Sequence, residues 1–272
     1  MLPFTVHPYK HPTIGSMVDL VAASIDDVRD FYNTYYVPEN ATVVVVGDFE
    51  TAQAKELATQ YFGRVPKAAR PVPRDIPQEP PQTAERRATV RAPWPLPAVV
   101  IAYHITYDGH PDSYPLHIAS KVLSDGQSSR IYKKLVYEKG IALAASGEGN
   151  IIEDPNLFYA VAFVQPGHRP EEAVDALIAE FDRLKAEPCT ERELERAKNQ
   201  FMRDYILGRE SNQQKALQLA HALVIHHDIT TADGEIDIFQ KLTAVDIQRA
   251  AKTYFTPENR LVLTVLPSGG GR

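Results

Sequence analysis

The amino-acid sequence predicts an α+β fold made of repeated units, each a mixed β-sheet backed by helices, with the first unit truncated. Three observations lead to this prediction. The same helix–turn–strand pattern occurs near both ends of the chain, helical and β-branched stretches alternate between the two copies, and a proline-rich stretch follows the first copy. A repeat of this kind indicates a duplicated structural unit.

The repeat comprises residues 25–46 and 244–265, which align without gaps. The matched positions include Asp27 with Asp246, Tyr35 with Tyr254, and Pro-Glu-Asn at 38–40 with Pro-Glu-Asn at 257–259. The periodicity of each copy predicts an amphipathic helix that ends in an aromatic pair, then a turn, then a β-branched strand. In the first copy we expect the valines at 43–46 to form a buried strand.

The region between the copies predicts a complete unit. Strands are predicted at 84–92, 98–106, 141–150 and 156–165, and helices at 112–124, 128–138, 169–187, 190–210 and 212–226. Pro170, with Glu171 and Glu172 behind it, is a favourable helix start that places negative charge in the first turn. Thr190 and Glu193 have the spacing of a capping box.

If the first copy had the same layout, its unit would begin about 135 residues before this chain does, because the offset between the copies is constant. We therefore expect residues 1–65 to be the C-terminal remnant of a first unit. Residues 66–83 are rich in proline and poor in apolar side chains, which predicts an extended linker. Residues 84–267 are expected to be the complete second unit, and residues 268–272 a flexible tail.

The composition argues against several classes of function. The net charge of −6 at pH 7 and the pI near 5.9 argue against a nucleic-acid partner, which normally binds a basic face. No apolar run approaches the ~20 residues that a membrane-spanning helix needs. The single cysteine, Cys189, excludes an internal disulfide.

Five segments carry a family resemblance. They are His-Pro-Tyr at 7–9 with Pro-Thr-Ile-Gly at 12–15, the run at 31–48, Tyr-Phe-Gly at 61–63, Ser-Ser-Arg-Ile-Tyr at 128–132, and the stretch at 190–200. In this order they resemble the pitrilysin/insulinase family of zinc metallopeptidases, which includes mitochondrial processing peptidase and bacterial relatives. The resemblance implies two homologous α+β units, with the fold of mitochondrial processing peptidase, around an enclosed cavity.

The resemblance also implies where zinc binds. In the family, the first unit carries His-x-x-Glu-His and a later Glu as third ligand, and the motif's Glu accepts a proton from the zinc-bound water. Neither this motif nor His-Glu-x-x-His occurs in the chain. We therefore expect no catalytic residue and no metal ligand here, and we expect zinc in the absent N-terminal unit of the parent protein.

Family members further use an Arg and a Tyr, seven residues apart in the second unit, to bind substrate and the oxyanion. Aligned on Gly140, these positions fall on Val136 and Leu143, which cannot donate a side-chain hydrogen bond. Arg130 and Tyr137 have the same spacing but break this register, so they remain the less favoured alternative. Since some bacterial members divide zinc and Arg/Tyr between two chains, the departure suggests the zinc-bearing partner of such a heterodimer.

Other candidate sites have simpler explanations. The prolines after His7 and after His11 prevent a shared helical face, so a structural loop is expected there. His221 and His226 end a helix, where imidazoles interact well with the helix dipole. Glu193 and the neighbouring charged residues of its helix are expected to form a solvated face.

Two functions follow as expectations. In the first, the chain is the non-zinc-binding C-terminal part of a metalloendopeptidase, where it completes the substrate chamber and mediates subunit pairing. In the alternative, it belongs to a non-catalytic structural or docking subunit of the same family. The expected partners are a peptide substrate and either a homologous subunit that carries the Arg/Tyr pair or a second copy of the chain. We favour a bacterial periplasmic location over a cytoplasmic one.

Overall fold

The computed structural model describes residues 3–268, which form two compact units. The first unit contains residues 3–80 and 208–232, and the second contains residues 81–207 and 233–268. The predicted α+β class with a mixed sheet backed by helices is confirmed. The boundary between the two units lies at 80/81, and residues 208–232 belong to the first unit, a division that the sequence did not indicate.

The second unit is built on a five-stranded sheet. Its strands are β1 (Arg86–Ala92), β2 (Ala98–His104), β3 (Ala142–Gly149), β4 (Leu157–Val164) and β5 (Arg260–Pro267). They lie in the order β1-β5-β2-β4-β3. The pair β1 and β5 is parallel and the other pairs are antiparallel, so the sheet is mixed.

Helices pack on one face of this sheet. They are α4 (Ser113–Leu123), α5 (Arg130–Tyr132) with a π-helical turn at Lys133–Glu138, α6 (Pro170–Ala186), α7 (Glu191–Leu207), α9 (Thr231–Lys241) and α10 (Ala244–Tyr254). α4, α5 and α6 contact the strands, while α7 and α10 pack against α4. Fully buried aromatic rings fill the centre of the core, with centroids 4.9 to 5.7 Å apart, from Tyr103, Phe158, Phe181 and Phe255.

The first unit contains α1 (Met17–Ala22), α2 (Ile25–Tyr35), α3 (Thr51–Phe62) and α8 (Asn212–Ile225). Most of its large apolar side chains are exposed, including those of Ile14, Val18 and Phe31. The linker lies along this unit: Arg70 bonds the Asp30 carboxylate, and Glu79 accepts backbone N–H bonds from residues 5–7.

Both copies of the repeat begin with the same helix cap. In each, a hydroxyl oxygen accepts the N–H of the third helical residue, whose carboxylate accepts the N–H of the capping residue. The pairs are Ser24 with Asp27 at the start of α2 and Thr243 with Asp246 at the start of α10. The shared sequence pattern therefore corresponds to shared local structure.

The turn that follows each helix is also the same. The Asn40 side-chain amide donates to the Tyr35 carbonyl at 2.9 Å, and the Asn259 amide donates to the Tyr254 carbonyl at 2.7 Å. Each bond closes the Pro-Glu-Asn turn onto the end of the helix.

The two copies diverge after the turn. The second continues into β5, which pairs with β1 and β2, whereas the described residues 41–46 have no regular structure and Val43 and Val45 are exposed. The predicted buried strand at 43–46 is therefore wrong for the structure of this chain. A strand needs neighbours for its backbone groups, and none is described beside this segment.

The elements predicted between residues 84 and 226 are confirmed to within three residues, and the helix predicted at 190–210 is α7, which ends at Leu207. The exception is the helix predicted at 128–138. That stretch becomes π-helical, with the Lys139 N–H bonding the Lys134 carbonyl, and it ends before Gly140 at a φ of +62°. α1, α3 and α9 were not predicted. Of the expected flexible tail, only Ser268 is described, and residues 269–272 lie outside the described residues.

Candidate functional site

The sheet of the second unit has one face that the helices leave uncovered. Along β2, Val99, Ile101 and Tyr103 belong to the hydrophobic core, while the alternate side chains point to the opposite face. Strand register extends this face across the sheet, and we call it the open face. Its residues are Ala144, Ser146 and Glu148 on β3, Tyr159, Val161 and Phe163 on β4, Ala98, Val100 and Ala102 on β2, Leu261, Leu263 and Val265 on β5, and Arg86, Ala88 and Val90 on β1.

The centre of the open face is apolar. Val100, Val161 and Leu263 lie side by side on three neighbouring strands, and each remains partly exposed. At one end Trp94, the only tryptophan of the chain, contacts Phe163 with ring centroids 6.2 Å apart, and both rings are exposed by more than a third. Ala98, Ala102, Leu261 and Val265 on the same face are already buried, so the accessible apolar surface consists of the partly exposed central residues and the two aromatic rings. Neighbouring apolar side chains that remain accessible mark an interaction site more often than scattered ones do.

One row of the open face is polar at its edges. Glu148 on the edge strand β3 lies opposite Tyr159, whose hydroxyl donates to the Glu148 carboxylate at 2.7 Å. Burial and this hydrogen bond raise the pKa of Tyr159 to about 12, so the hydroxyl keeps its proton. The row ends at Arg86 on the opposite edge strand, so the two edges carry opposite charge.

The positions aligned with the family Arg and Tyr do not form a polar pair. Val136 lies on the π-helical turn and packs against the core. Leu143 lies at an irregularity in the β3–β4 pairing, where its side chain is about half exposed. Neither side chain can stabilise an oxyanion by a hydrogen bond.

Arg130, the alternative position, is engaged elsewhere. Its side chain is 5% exposed and donates two hydrogen bonds to Glu193, at 2.7 and 2.8 Å. Hydrogen bonding to Arg130 lowers the pKa of Glu193 to about 2, against the opposing effect of burial. Tyr137 is instead exposed, and its hydroxyl bonds Gln127. Arg130 therefore joins α5 to α7, and the less favoured Arg130/Tyr137 alternative stays a prediction.

The buried pair corrects the interpretation of Glu193 as part of a solvated face. Its carboxylate closes the predicted capping box with Thr190 and also accepts the Arg130 guanidinium. The contact links residues 63 positions apart in sequence. Helical spacing reports neighbours on the same helix, so it cannot reveal a partner on another one.

The histidines for which we expect a structural role and no metal, His7, His221 and His226, lie in the first unit. His7 is buried, and its Nδ1 accepts the backbone N–H of Tyr9 in a single 3₁₀ turn. The rings of His221 and His226, at the end of α8, contact each other with centroids 5.4 Å apart. None of the helices in residues 3–268 combines the length and the apolar composition that a bilayer-spanning segment requires.

Sequence reasoning did not identify the open face. The signal is present in β2, where Ala98–His104 is apolar at nearly every position instead of alternating with polar residues. Such a strand is apolar on both faces, which indicates that both faces pack against something. Only the structure shows that helices cover one of the two.

Known proteins resemble this chain in sequence and in fold. A family model described as the peptidase M16 inactive domain matches residues 22–201. The zinc protease PqqE of Helicobacter pylori is 29% identical over 258 residues, which cover 93% of this chain and 57% of that protein. The crystal structure of a protease from Helicobacter pylori superposes with a TM-score of 0.91 at 28% identity, covering 97% of this chain and 64% of that one.

A third match is shorter. The inactive peptidase domain of a Bordetella parapertussis protein superposes with a TM-score of 0.58 at 26% identity, covering 63% of this chain and 93% of that domain. By contrast, this chain covers only 57% of the Helicobacter pylori protease PqqE and 64% of the Helicobacter pylori crystal structure, which is less than two thirds of the length of either. Since the family model matches well over half of its residues, the chain belongs to the peptidase M16 family and contains the inactive C-terminal domain of zinc-protease-like proteins.

Proposed function

We propose that this chain is the non-zinc-binding part of a zinc metalloendopeptidase that cleaves peptides or unfolded protein segments. In this proposal the second unit forms one wall of the substrate chamber, and its open face contacts apolar side chains of the substrate. The observation that carries the proposal is the apolar centre of the open face on a unit whose other sheet face is fully packed. Covering one valine there contributes less than the roughly 1.5–3 kcal/mol of a fully exposed side chain, because part of its surface is already buried.

The exposed residues of the first unit support an upstream zinc-bearing unit. In the second copy of the repeat, Ile247 and Phe255 are fully buried, whereas their counterparts Val28 and Tyr36 are 57% and 65% exposed. Equivalent positions with such different burial indicate that the first copy normally packs against further polypeptide. We propose that this polypeptide completes the first unit, which would hold zinc, and that the parent protein resides in the bacterial periplasm.

The missing donors at Val136 and Leu143 favour a partner. We propose a homologous subunit that supplies the Arg and Tyr, with self-association of this chain as the alternative pairing. The same observation also fits a non-catalytic docking subunit. Translating the coding sequence upstream of Met1 separates the two: His-x-x-Glu-His with a later Glu favours the peptidase, and a complete first unit without these ligands favours the docking subunit.

Peptide binding by the chain tests the open face directly. A fluorescein-labelled peptide of alternating leucine and serine is titrated with the chain, and its anisotropy is measured. Val161→Asp places a charge in the centre of the face and should weaken binding at least tenfold, because it removes apolar contact and requires a carboxylate to be desolvated. Val245→Asp, at an exposed apolar position on α10, is the matched control and should bind as the wild type does.

Equal affinity of the two variants, with unchanged thermal unfolding, would contradict a binding role for the open face. The purified chain is also expected to leave the peptide intact when zinc is added, since it carries no zinc motif. Zinc-dependent cleavage that survives removal of contaminating proteases would contradict the assignment of chemistry to another unit.

A further inference from the structure

Two chemically different groups lie at a fixed spacing on the open face. Phe163 and Tyr159 are four residues apart on the same side of β4, which corresponds to about 14 Å along an extended strand. Trp94 contacts Phe163 at one end, and Glu148 accepts the Tyr159 hydroxyl at the other. Val161 lies between them, so the path from one end to the other is apolar.

An extended peptide has the same spacing. Its side chains at positions i and i+4 lie on one side of its backbone, also about 14 Å apart. A peptide laid along β4 can therefore place one side chain at the aromatic end while another, four residues away, reaches the carboxylate. The intermediate i+2 side chain then faces Val161, which favours an apolar residue there.

The negative charge of Glu148 favours a basic side chain at the carboxylate end of the open face. Glu148 is exposed, and its hydrogen bond to Tyr159 uses one of its two oxygens. Arg86, at the other edge of the same row, lies four strand spacings away, at about 19 Å. This separation exceeds the Debye length of about 8 Å at physiological ionic strength, so a ligand near β3 and β4 is influenced mainly by the acidic group.

We propose that the open face carries a two-point subsite for an extended peptide, in which an apolar or aromatic side chain contacts Trp94 and Phe163 and a lysine or arginine four residues away pairs with Glu148. The inference rests on the proposed function and adds the substrate class to it. The ion pair is solvent-exposed, so it contributes selectivity on the order of twofold to fivefold in affinity, and salt weakens it.

The test uses the fluorescence of Trp94, the single tryptophan. The full chain is titrated with otherwise identical serine-rich peptides that lack tryptophan. In the first pair of peptides, phenylalanine and lysine are four residues apart, with phenylalanine first in one peptide and lysine first in the other. The second pair has glutamate in place of lysine. The third pair has lysine three residues from phenylalanine, so that the two side chains point to opposite sides of an extended backbone. We expect a blue shift of emission and the tightest binding with lysine at i+4.

Glu148→Gln should remove the preference for lysine over glutamate while apolar binding persists, since the amide oxygen can still accept the Tyr159 hydroxyl. Tyr159→Phe keeps the carboxylate and should retain the preference. Equal affinity of the wild type for the lysine and glutamate peptides, or a preference that survives Glu148→Gln, would overturn the subsite. If no apolar peptide binds or shifts Trp94 emission, the proposed function itself fails.

Discussion

At the scale of single residues, Arg130 shows how packing determines the role of a charged side chain. Its guanidinium is buried and forms two hydrogen bonds with Glu193, and Glu180 and Cys189 are also buried. Burial raises the pKa of Glu180, which shows that the surroundings disfavour an uncompensated negative charge. A pair in such surroundings is costly to break, because each charge depends on the other.

We expect Arg130→Ala to lower the free energy of unfolding by about 3 kcal/mol, the lower end of the range for a buried ion pair, since it leaves the partly buried Glu193 carboxylate without its main partner. Urea unfolding followed by Trp94 fluorescence measures the effect. Arg203→Ala is the matched control, because Arg203 pairs with Asp204 at 2.6 Å on an exposed part of the same α7 helix. That change should alter stability by less than about 0.5 kcal/mol. Similar losses in both variants would contradict the structural role of the buried pair.

The lowered pKa of Glu193 predicts that the free energy of unfolding falls as the pH is lowered. The folded state holds this pKa at about 2, below its ordinary value of 4.5, so the ionised form stabilises the fold. The contribution is complete above pH 4.5 and is lost as the pH falls towards 2. The difference in unfolding free energy between the wild type and Glu193→Gln should therefore shrink across this window. A difference that stays constant there would contradict the shift.

At the scale of elements, the two capping boxes test whether equal local structure has equal energetic weight. α10 buries Ile247, Ala250 and Ala251 in the core, whereas α2 buries only Thr34. Losing a cap destabilises a helix, but global stability falls only where that helix is packed. The same change in the two copies should therefore differ in effect.

Thr243→Ala should lower the unfolding free energy of the second unit by about 1 kcal/mol, since it removes the hydroxyl that accepts the Asp246 N–H. Ser24→Ala removes the equivalent hydroxyl from α2 and should leave the transition reported by Trp94 unchanged. Trp94 belongs to the second unit, so its fluorescence follows that unit. If Ser24→Ala and Thr243→Ala shifted the unfolding transition reported by Trp94 equally, the exposed helix α2 would be coupled to the core of the second unit.

The elements also show where sequence reasoning succeeds. The cap of α7 was predicted because its interacting residues are three positions apart, and the caps of α2 and α10, which were not predicted, have the same spacing. α9 was missed because it contains Gly234 and has only a short apolar pattern, and its packing depends on Phe239, which stacks on Phe201 with ring centroids 3.6 Å apart. That contact joins two helices and has no signature within either.

At the scale of the whole molecule, the two units differ in how they bury apolar side chains. The second unit has a continuous core, while the first exposes apolar side chains along α1 and α2. Large exposed apolar surfaces promote association. This contrast supports the expectation that the chain binds either further polypeptide or a second copy.

We expect the purified chain to self-associate in a concentration-dependent manner in sedimentation velocity experiments. Replacing Phe31 and Tyr32 with serine should shift the distribution towards monomer, because both rings are more than half exposed on α2. Val245→Ser, at an exposed apolar position of the second unit, should leave the distribution unchanged. A wild-type chain that remains monomeric at all concentrations would contradict this expectation.

The sequence by itself determined the family, the α+β class, the repeat and most helix and strand positions of the second unit. These properties depend on periodicity, caps and turns, and each of these involves residues within a few positions of one another. The tertiary structure alone decided that Val43 is exposed while its counterpart Val262 is buried, that Glu193 binds Arg130, and that Phe163 lies on an uncovered face. Burial depends on partners distant in sequence, and the same local pattern can therefore be packed in one place and exposed in another.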